Sequence, residues 1–119
     1  MSWILDKKKP ICPQLCRQLC TCIAEGEFAP GQRLMSVREL ALAAGVNPNT
    51  VQRAFEQLEQ QGVLYSERGA GWFVASDTAA ARQMHRQLLQ EKVEAFFLEM
   101  AELGLSTAQT KEYVKEWEA

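Results

Sequence analysis

Ser36-Val37-Arg38-Glu39-Leu40-Ala41-Leu42-Ala43-Ala44-Gly45-Val46-Asn47-Pro48-Asn49-Thr50-Val51-Gln52-Arg53-Ala54-Phe55 holds two helix starts and one helix stop. Ser36 with Glu39 forms a capping box, in which each side chain satisfies a backbone N–H of the first helical turn that has no partner within the helix. Val37, Leu40, Ala41 and Ala44 then recur on one apolar face. Gly45 stops that helix, because glycine takes the left-handed conformation at little steric cost. Asn47 starts the next as N-cap, with Pro48 at the first helical position, where its missing N–H costs nothing. The apolar face of this second helix is Val51, Ala54, Phe55 and Leu58, and Gly62 ends it.

Outward from this pair, residues 13–25 read as a preceding helix with Pro13 at its start and Leu15, Leu19 and Ile23 at four-residue spacing. Trp3-Ile4-Leu5 reads as a short strand or arm, followed by Asp6 and three lysines. Ala29-Pro30-Gly31 is a turn. On the other side, 63–67 and 72–75 are β-prone segments flanking Arg68-Gly69-Ala70-Gly71, the signature of a hairpin with a glycine-rich tip. Asp77 caps a long helix over 78–103, about 40 Å at 1.5 Å per residue. Ser106, with Gln109 at the capping-box position, starts a last short helix.

Two short helices joined by a tight glycine turn make a helix-turn-helix. The fold class that follows is mainly α with a small β-hairpin (α+β). It is a winged helix-turn-helix domain over 1–76 followed by a two-helix tail over 77–119. In this arrangement the second helix of the pair lies in the major groove and its first residues reach base edges. Those residues are Asn47, Asn49, Thr50, Gln52 and Arg53. Asn and Gln pair with adenine, Arg with guanine, and Thr donates a hydrogen bond or meets a thymine methyl. Ser36 and Arg38 open the preceding helix, where a phosphate contact is the natural role of Arg38. Arg68, Gly69 and Gly71 form the hairpin tip, where glycines permit close approach to a groove.

The motifs Pro30-Gly31-Gln32-Arg33-Leu34-Met35-Ser36-Val37-Arg38-Glu39-Leu40-Ala41, Gly45-Val46-Asn47-Pro48-Asn49-Thr50-Val51-Gln52-Arg53-Ala54-Phe55 and Gly69-Ala70-Gly71-Trp72-Phe73-Val74 resemble the GntR family of bacterial regulators. The short two-helix tail is similar to that of its YtrA subfamily. The resemblance spans essentially the whole chain, and Asn-Pro-Asn-Thr-Val-Gln is its most specific run. It implies a winged helix-turn-helix that binds operator DNA as a homodimer, usually as a repressor. By motif, Arg38, Asn49, Thr50 and Gln52 would face DNA, and Gly69 and Gly71 would form the wing tip. Cys12 stands where members often have an aromatic. Pro48 stands where many members outside the subfamily have Arg, so that base contact is absent here.

The net charge of the chain is −2. Residues 1–75 hold eight Lys and Arg against seven Asp and Glu, while 76–119 hold five against eight. The acidic excess therefore sits in the tail, and a DNA contact needs only local positive charge. No apolar run approaches the roughly 20 residues of a membrane span, and the N-terminus lacks the pattern of a signal peptide. The expected location is cytoplasmic.

The tail helix carries more apolar side chains than a small helical domain needs. Leu88, Leu89, Val93, Phe96, Phe97 and Met100, with Val114 and Trp117 of the last helix, are the expected homodimer interface. About 44 residues in two helices do not by themselves enclose a drug-sized pocket, so the chain names no effector.

Cys12, Cys16 and Cys20 fall at i, i+4 and i+8. As thiolates they would suit zinc or copper(I), giving a metal- or redox-responsive regulator. As thiols they pack as small hydrophobes, Cys12 and Cys16 within the stripe of Leu15, Leu19 and Ile23 and Cys20 at its edge, the favoured alternative, with no metal or cofactor. Cys22 lies at the edge of that stripe opposite Cys20. His85, the single histidine, has no partners for a catalytic set and is expected at the surface. No phosphate-binding loop, nucleophile elbow or metal motif points to an enzyme. The remaining alternative is a winged-helix adaptor for proteins. Such an adaptor has no need of Arg38, Asn49, Thr50 and Arg68 together.

Overall fold

The structure is a computed structural model that describes residues 3–118. It contains α1 (Ile11–Ala24), α2 (Val37–Ala44), α3 (Pro48–Gln60), β1 (Leu64–Glu67), β2 (Gly71–Val74), α4 (Ala79–Glu102) and α5 (Thr107–Glu116). The expected α+β class and element order are both present. Two compact units divide the chain, one reaching to His85 and one beginning at Arg86.

In the first unit, α3 is the hub, packing on α1, α2 and β1. Leu15, Leu19 and Ile23 of α1 meet Leu40 and Ala41 of α2 and Val51, Ala54, Phe55 and Leu58 of α3. Val63, Leu64 and Val74 close the core from the hairpin side, and Ala81 from the start of α4. Phe55 is fully buried at the centre, its ring edge-on to Trp72 with centroids 5.4 Å apart.

The capping chemistry is as the residues dictate. Ser36 Oγ accepts the Glu39 N–H at 3.1 Å, and Glu39 Oε1 accepts the Ser36 N–H at 3.2 Å. Gly45 ends α2 in the left-handed region at φ 68°. Asn47 Oδ1 accepts the Asn49 N–H at 2.8 Å, with Pro48 as the first residue of α3. Ser106 and Gln109 make the same reciprocal box at α5. Asp77 Oδ1 accepts the Ala79 N–H at 2.9 Å, as a cap does, and α4 runs one residue shorter at each end than expected.

Two local expectations are corrected, one open alternative is settled and one bridge is added. Helix α1 begins at Ile11 after Pro10, not at Pro13. Pro13 still sits in the first turn, where no intrahelical N–H bond is lost. Trp3-Ile4-Leu5 is an arm and not a strand, since the Gln18 side chain takes up both Ile4 N–H and Ile4 C=O. Gly71 belongs to β2, paired with Glu67, so the turn is shorter than four residues. The hairpin also gains a third, very short partner. Arg33 bridges Phe73, Leu34 N–H donates to Trp72 C=O at 2.8 Å, and Val74 N–H donates to Gln32 C=O at 2.9 Å. Three residues are too few to show strand alternation in a sequence.

In the second unit, the part of α4 from Arg86 and the helix α5 leave many apolar groups uncovered. Leu89, Val93, Phe96, Val114 and Trp117 are exposed, Trp117 by 67%. Leu88, Phe97 and Met100 are half-buried. Trp117 lies just beyond α5 in extended backbone. Phe96, Met100, Tyr113, Val114 and Trp117 line an open groove of about 450 Å³. Among the described residues no helix is long and apolar enough to cross a membrane.

Candidate nucleic-acid interface

The polar side chains expected to face DNA occupy the N-terminal turns of α2 and α3 and the tip of the hairpin. Arg38 is exposed in the first turn of α2. Asn49 is exposed and Thr50 half-buried in the first turn of α3, and Gln52 and Arg53 follow on its outer side. Arg68 is exposed in the hairpin turn, which the Ala70 N–H closes by donating to Glu67 C=O at 3.0 Å.

These side chains differ in what already holds them. Ser36 and Asn47 use their side-chain oxygens as helix caps. Their effect on a ligand therefore includes fixing where α2 and α3 begin. The Gln52 amide donates to Glu56 Oε1 at 2.8 Å, one turn along the same face. The Arg53 guanidinium reaches Thr50 Oγ1 at 3.5 Å. Glu59, at the far end of α3, accepts both the N–H and the hydroxyl of Ser66, at 3.0 and 2.8 Å. That pair ties β1 to α3, so the wing is anchored on the same helix that carries Asn49, Thr50, Gln52 and Arg53.

Two cations escaped the sequence reasoning. Arg33 is the residue that bridges Phe73, its guanidinium beside Gly71. A Cβ built at Gly71 would stand 3.4 Å from Arg33 Nε, on a backbone at φ 109° that side chains rarely adopt. Glycine is needed at 71 for that conformation, while Arg33 lies at ordinary contact distance from where a Cβ would stand. Lys7 Nζ donates to Gly45 C=O at 2.6 Å and Ala44 C=O at 3.4 Å. An ammonium there satisfies the last carbonyls of α2 and complements the helix dipole. Lys7 was visible only as one of a lysine run, and its partner lies 38 positions away.

The four cysteines are placed by packing. Cys16, Cys20 and Cys22 are buried, and Cys12 is half-buried. The Cys16 thiol faces Ala54 C=O at 3.7 Å, and that of Cys20 faces Met84 Sδ at 3.7 Å. Burial pushes the Cys16 thiol up to about 12, with Cys12 beside it adding to the shift. Burial likewise raises Cys20 to about 11, and burial with Glu27 nearby raises Cys22 to about 12. A raised thiol pKa means a protonated, unreactive sulfur at neutral pH. Alkylation of the native chain with iodoacetamide at pH 8 is therefore expected to label Cys12 first, and all four cysteines only in denaturant. Peptide mapping showing Cys16 or Cys20 labelled as fast as Cys12 would contradict this placement. Among the described residues no three His, Cys, Asp or Glu side chains gather to hold a metal. His85 is half-buried rather than fully at the surface.

Comparison with known proteins bears on this arrangement directly. The family model described as bacterial regulatory proteins, gntR family, matches residues 14–74. The chain is 36% identical over 110 residues to the uncharacterized HTH-type transcriptional regulator YhcF of Bacillus subtilis, covering 92% of this chain and 91% of that one. It is 29% identical over 108 residues to the HTH-type transcriptional repressor YtrA of the same organism, covering 90% and 83%. Its structure is similar to that of a GntR family transcriptional regulator from Listeria monocytogenes, with TM-score 0.84 and 35% identity, covering 96% and 100%.

Proposed function

We propose that this chain, which belongs to the gntR family of bacterial regulatory proteins, is a cytoplasmic repressor that reads a two-fold symmetric operator as a homodimer. It is a DNA-binding transcriptional regulator with a YtrA-like tail. The repressor role is supported by its similarity to the repressor YtrA.

The observation that carries the proposal is one of placement. Arg38, Asn49, Arg53 and Arg68 are all exposed, and all sit on the first two turns of two capped helices or on a wing anchored to one of them. Asn49, Thr50, Gln52 and Arg53 would meet base edges. Arg38 and Arg68 would meet phosphates, with Gly69 and Gly71 bringing the wing close. The uncovered side chains Leu88, Leu89, Val93, Phe96, Phe97, Met100, Val114 and Trp117 would pair two copies. Half-sites then repeat at about one DNA turn, roughly 34 Å. The chemistry of the site is binding, through charge and hydrogen bonds, and not bond-breaking.

The test is a gel shift on the DNA upstream of the chain's own gene at several salt concentrations. Arg38→Ala is expected to weaken binding to all sequences and to reduce the salt dependence by about one phosphate contact. Gln52→Ala is expected to relax the preference at one base position, worth about 1–3 kcal/mol. If both variants bound as the parent chain does, with the same preference, the site assignment would be wrong.

A further inference from the structure

We propose that Lys8 and Lys9, on the turn before α1, form a second DNA-contact site that grips backbone phosphates alongside α3. The proposal rests on the DNA-binding role above and adds contacts from outside the helix-turn-helix and the wing.

The turn is built rather than loose. Asp6 Oδ1 accepts the Lys8 N–H at 3.0 Å, and Asp6 C=O accepts the Lys9 N–H at 3.1 Å. Gln14, from the first turn of α1, clamps it from below. Its Oε1 accepts the Asp6 N–H at 2.8 Å, and its Nε2 donates to Asp6 C=O at 3.0 Å and Pro10 C=O at 2.9 Å. Two contacts then place this turn against the DNA-reading helix. In front, Lys7 Nζ is seated on Gly45 C=O, two residues before the Asn47 cap of α3. Behind, Pro10, Ile11 and Cys12 share the walls of an open cavity of about 450 Å³ with Thr50, Arg53 and Gln57 of α3. The chain between these two points runs beside the start of α3, and Lys8 and Lys9 are what lies between. Both are exposed.

Among the described residues their ammonium groups are in no ion pair: the Asp6 carboxylate bonds the Lys8 backbone amide rather than an ammonium, and the ion pair found there is Lys115 with Glu112. Lys7 spends its ammonium on two carbonyls and is not counted. In a chain of net charge −2, two exposed cations on a hydrogen-bonded turn, next in the chain to the Pro10 that shares a cavity with Thr50 and Arg53, supply the local positive field that a phosphate backbone requires. A contact of this kind strengthens binding without selecting sequence.

The measurement is fluorescence anisotropy with the full chain, on the upstream DNA of its own gene and on unrelated duplex, across a salt series. The Lys8→Ala/Lys9→Ala chain is expected to show a salt slope shallower by about two, at roughly 0.9 per phosphate neutralised. Its affinity at low salt is expected to fall about tenfold or more on both DNAs alike. Lys8→Arg/Lys9→Arg keeps the charges and is expected to restore the slope. An unchanged slope and affinity in the alanine chain would overturn the proposal. Arg38→Ala, run in parallel, separates the two ideas. If Arg38→Ala weakens binding and the lysine variant does not, the basic turn alone is wrong. If the unmodified chain binds neither DNA, the DNA-binding role falls with it.

Discussion

Phe55→Ala is expected to lose about 3–5 kcal/mol of stability, the range for truncating a buried aromatic. A domain of this size has about 5–15 kcal/mol in total. The melting temperature should therefore fall by on the order of 20 °C, at about 4–8 °C per kcal/mol. The size of the effect follows from where the ring sits. Phe55 is fully buried in α3, and α3 is the helix on which α1, α2 and β1 all pack. Its ring also meets Trp72 of β2 edge-on. Truncation leaves a cavity bordered by three helices and a hairpin, and none of these can collapse into it without pulling away from another. The wing should move as well, because Trp72 loses its partner, so DNA binding should weaken even in the fraction that remains folded. Phe55→Leu keeps most of the volume and should cost less than about half as much. A thermal melt followed by circular dichroism decides the matter. An alanine variant melting within a few degrees of the parent would mean that α3 is not the hub of the core.

What could be foreseen from the residues was whatever is encoded over three or four positions. Ser36 with Glu39, Gly45, and Asn47 with Pro48 each complete their chemistry locally, so the helix-turn-helix was legible to within a residue. Leu15, Leu19 and Ile23 repeat along one face for the same reason, and all three are buried. Contacts that join distant parts of the chain were not legible. The bridge at Arg33 rests on β2, which offers Trp72 C=O and the Val74 N–H to its neighbours. Lys7 on Gly45, and Glu59 on Ser66, are polar side chains whose partners nothing nearby in the sequence specifies. Cys20 and Cys22 lie at opposite edges of the apolar stripe of α1, yet both are buried. The reason is that α1 is covered on more than one side, by Met84 at Cys20 and by the turn carrying Glu27 at Cys22. Helical periodicity alone describes a helix with one buried face.

Charge placed in the tail should separate the proposed dimer and, with it, most of the operator affinity. Val93→Glu/Phe96→Glu is the sharpest version. Both side chains are exposed, Val93 by 49% and Phe96 by 40%, so the helix itself has little reason to unfold. Glutamate is also a better helix former than valine or phenylalanine, which removes helix propensity as a source of loss. What the pair changes is the surface offered to a second copy. The 76–119 segment already holds eight acids against five bases. Two further acids on each protomer would face their own symmetry mates, since a two-fold interface brings each patch against itself. Sedimentation should shift from dimer to monomer at micromolar concentration. Binding to a full operator should fall by about 10²–10⁴-fold, because two linked half-sites gain that much from effective concentration alone. Binding to an isolated half-site should stay close to that of the parent, since Arg38, Asn49, Gln52 and Arg68 are untouched. That second measurement gives the experiment its force, for a misfolded protein would lose both. A variant that remained dimeric would place the interface elsewhere. A monomer that bound the full operator as tightly as the parent would mean that one copy reads the site alone.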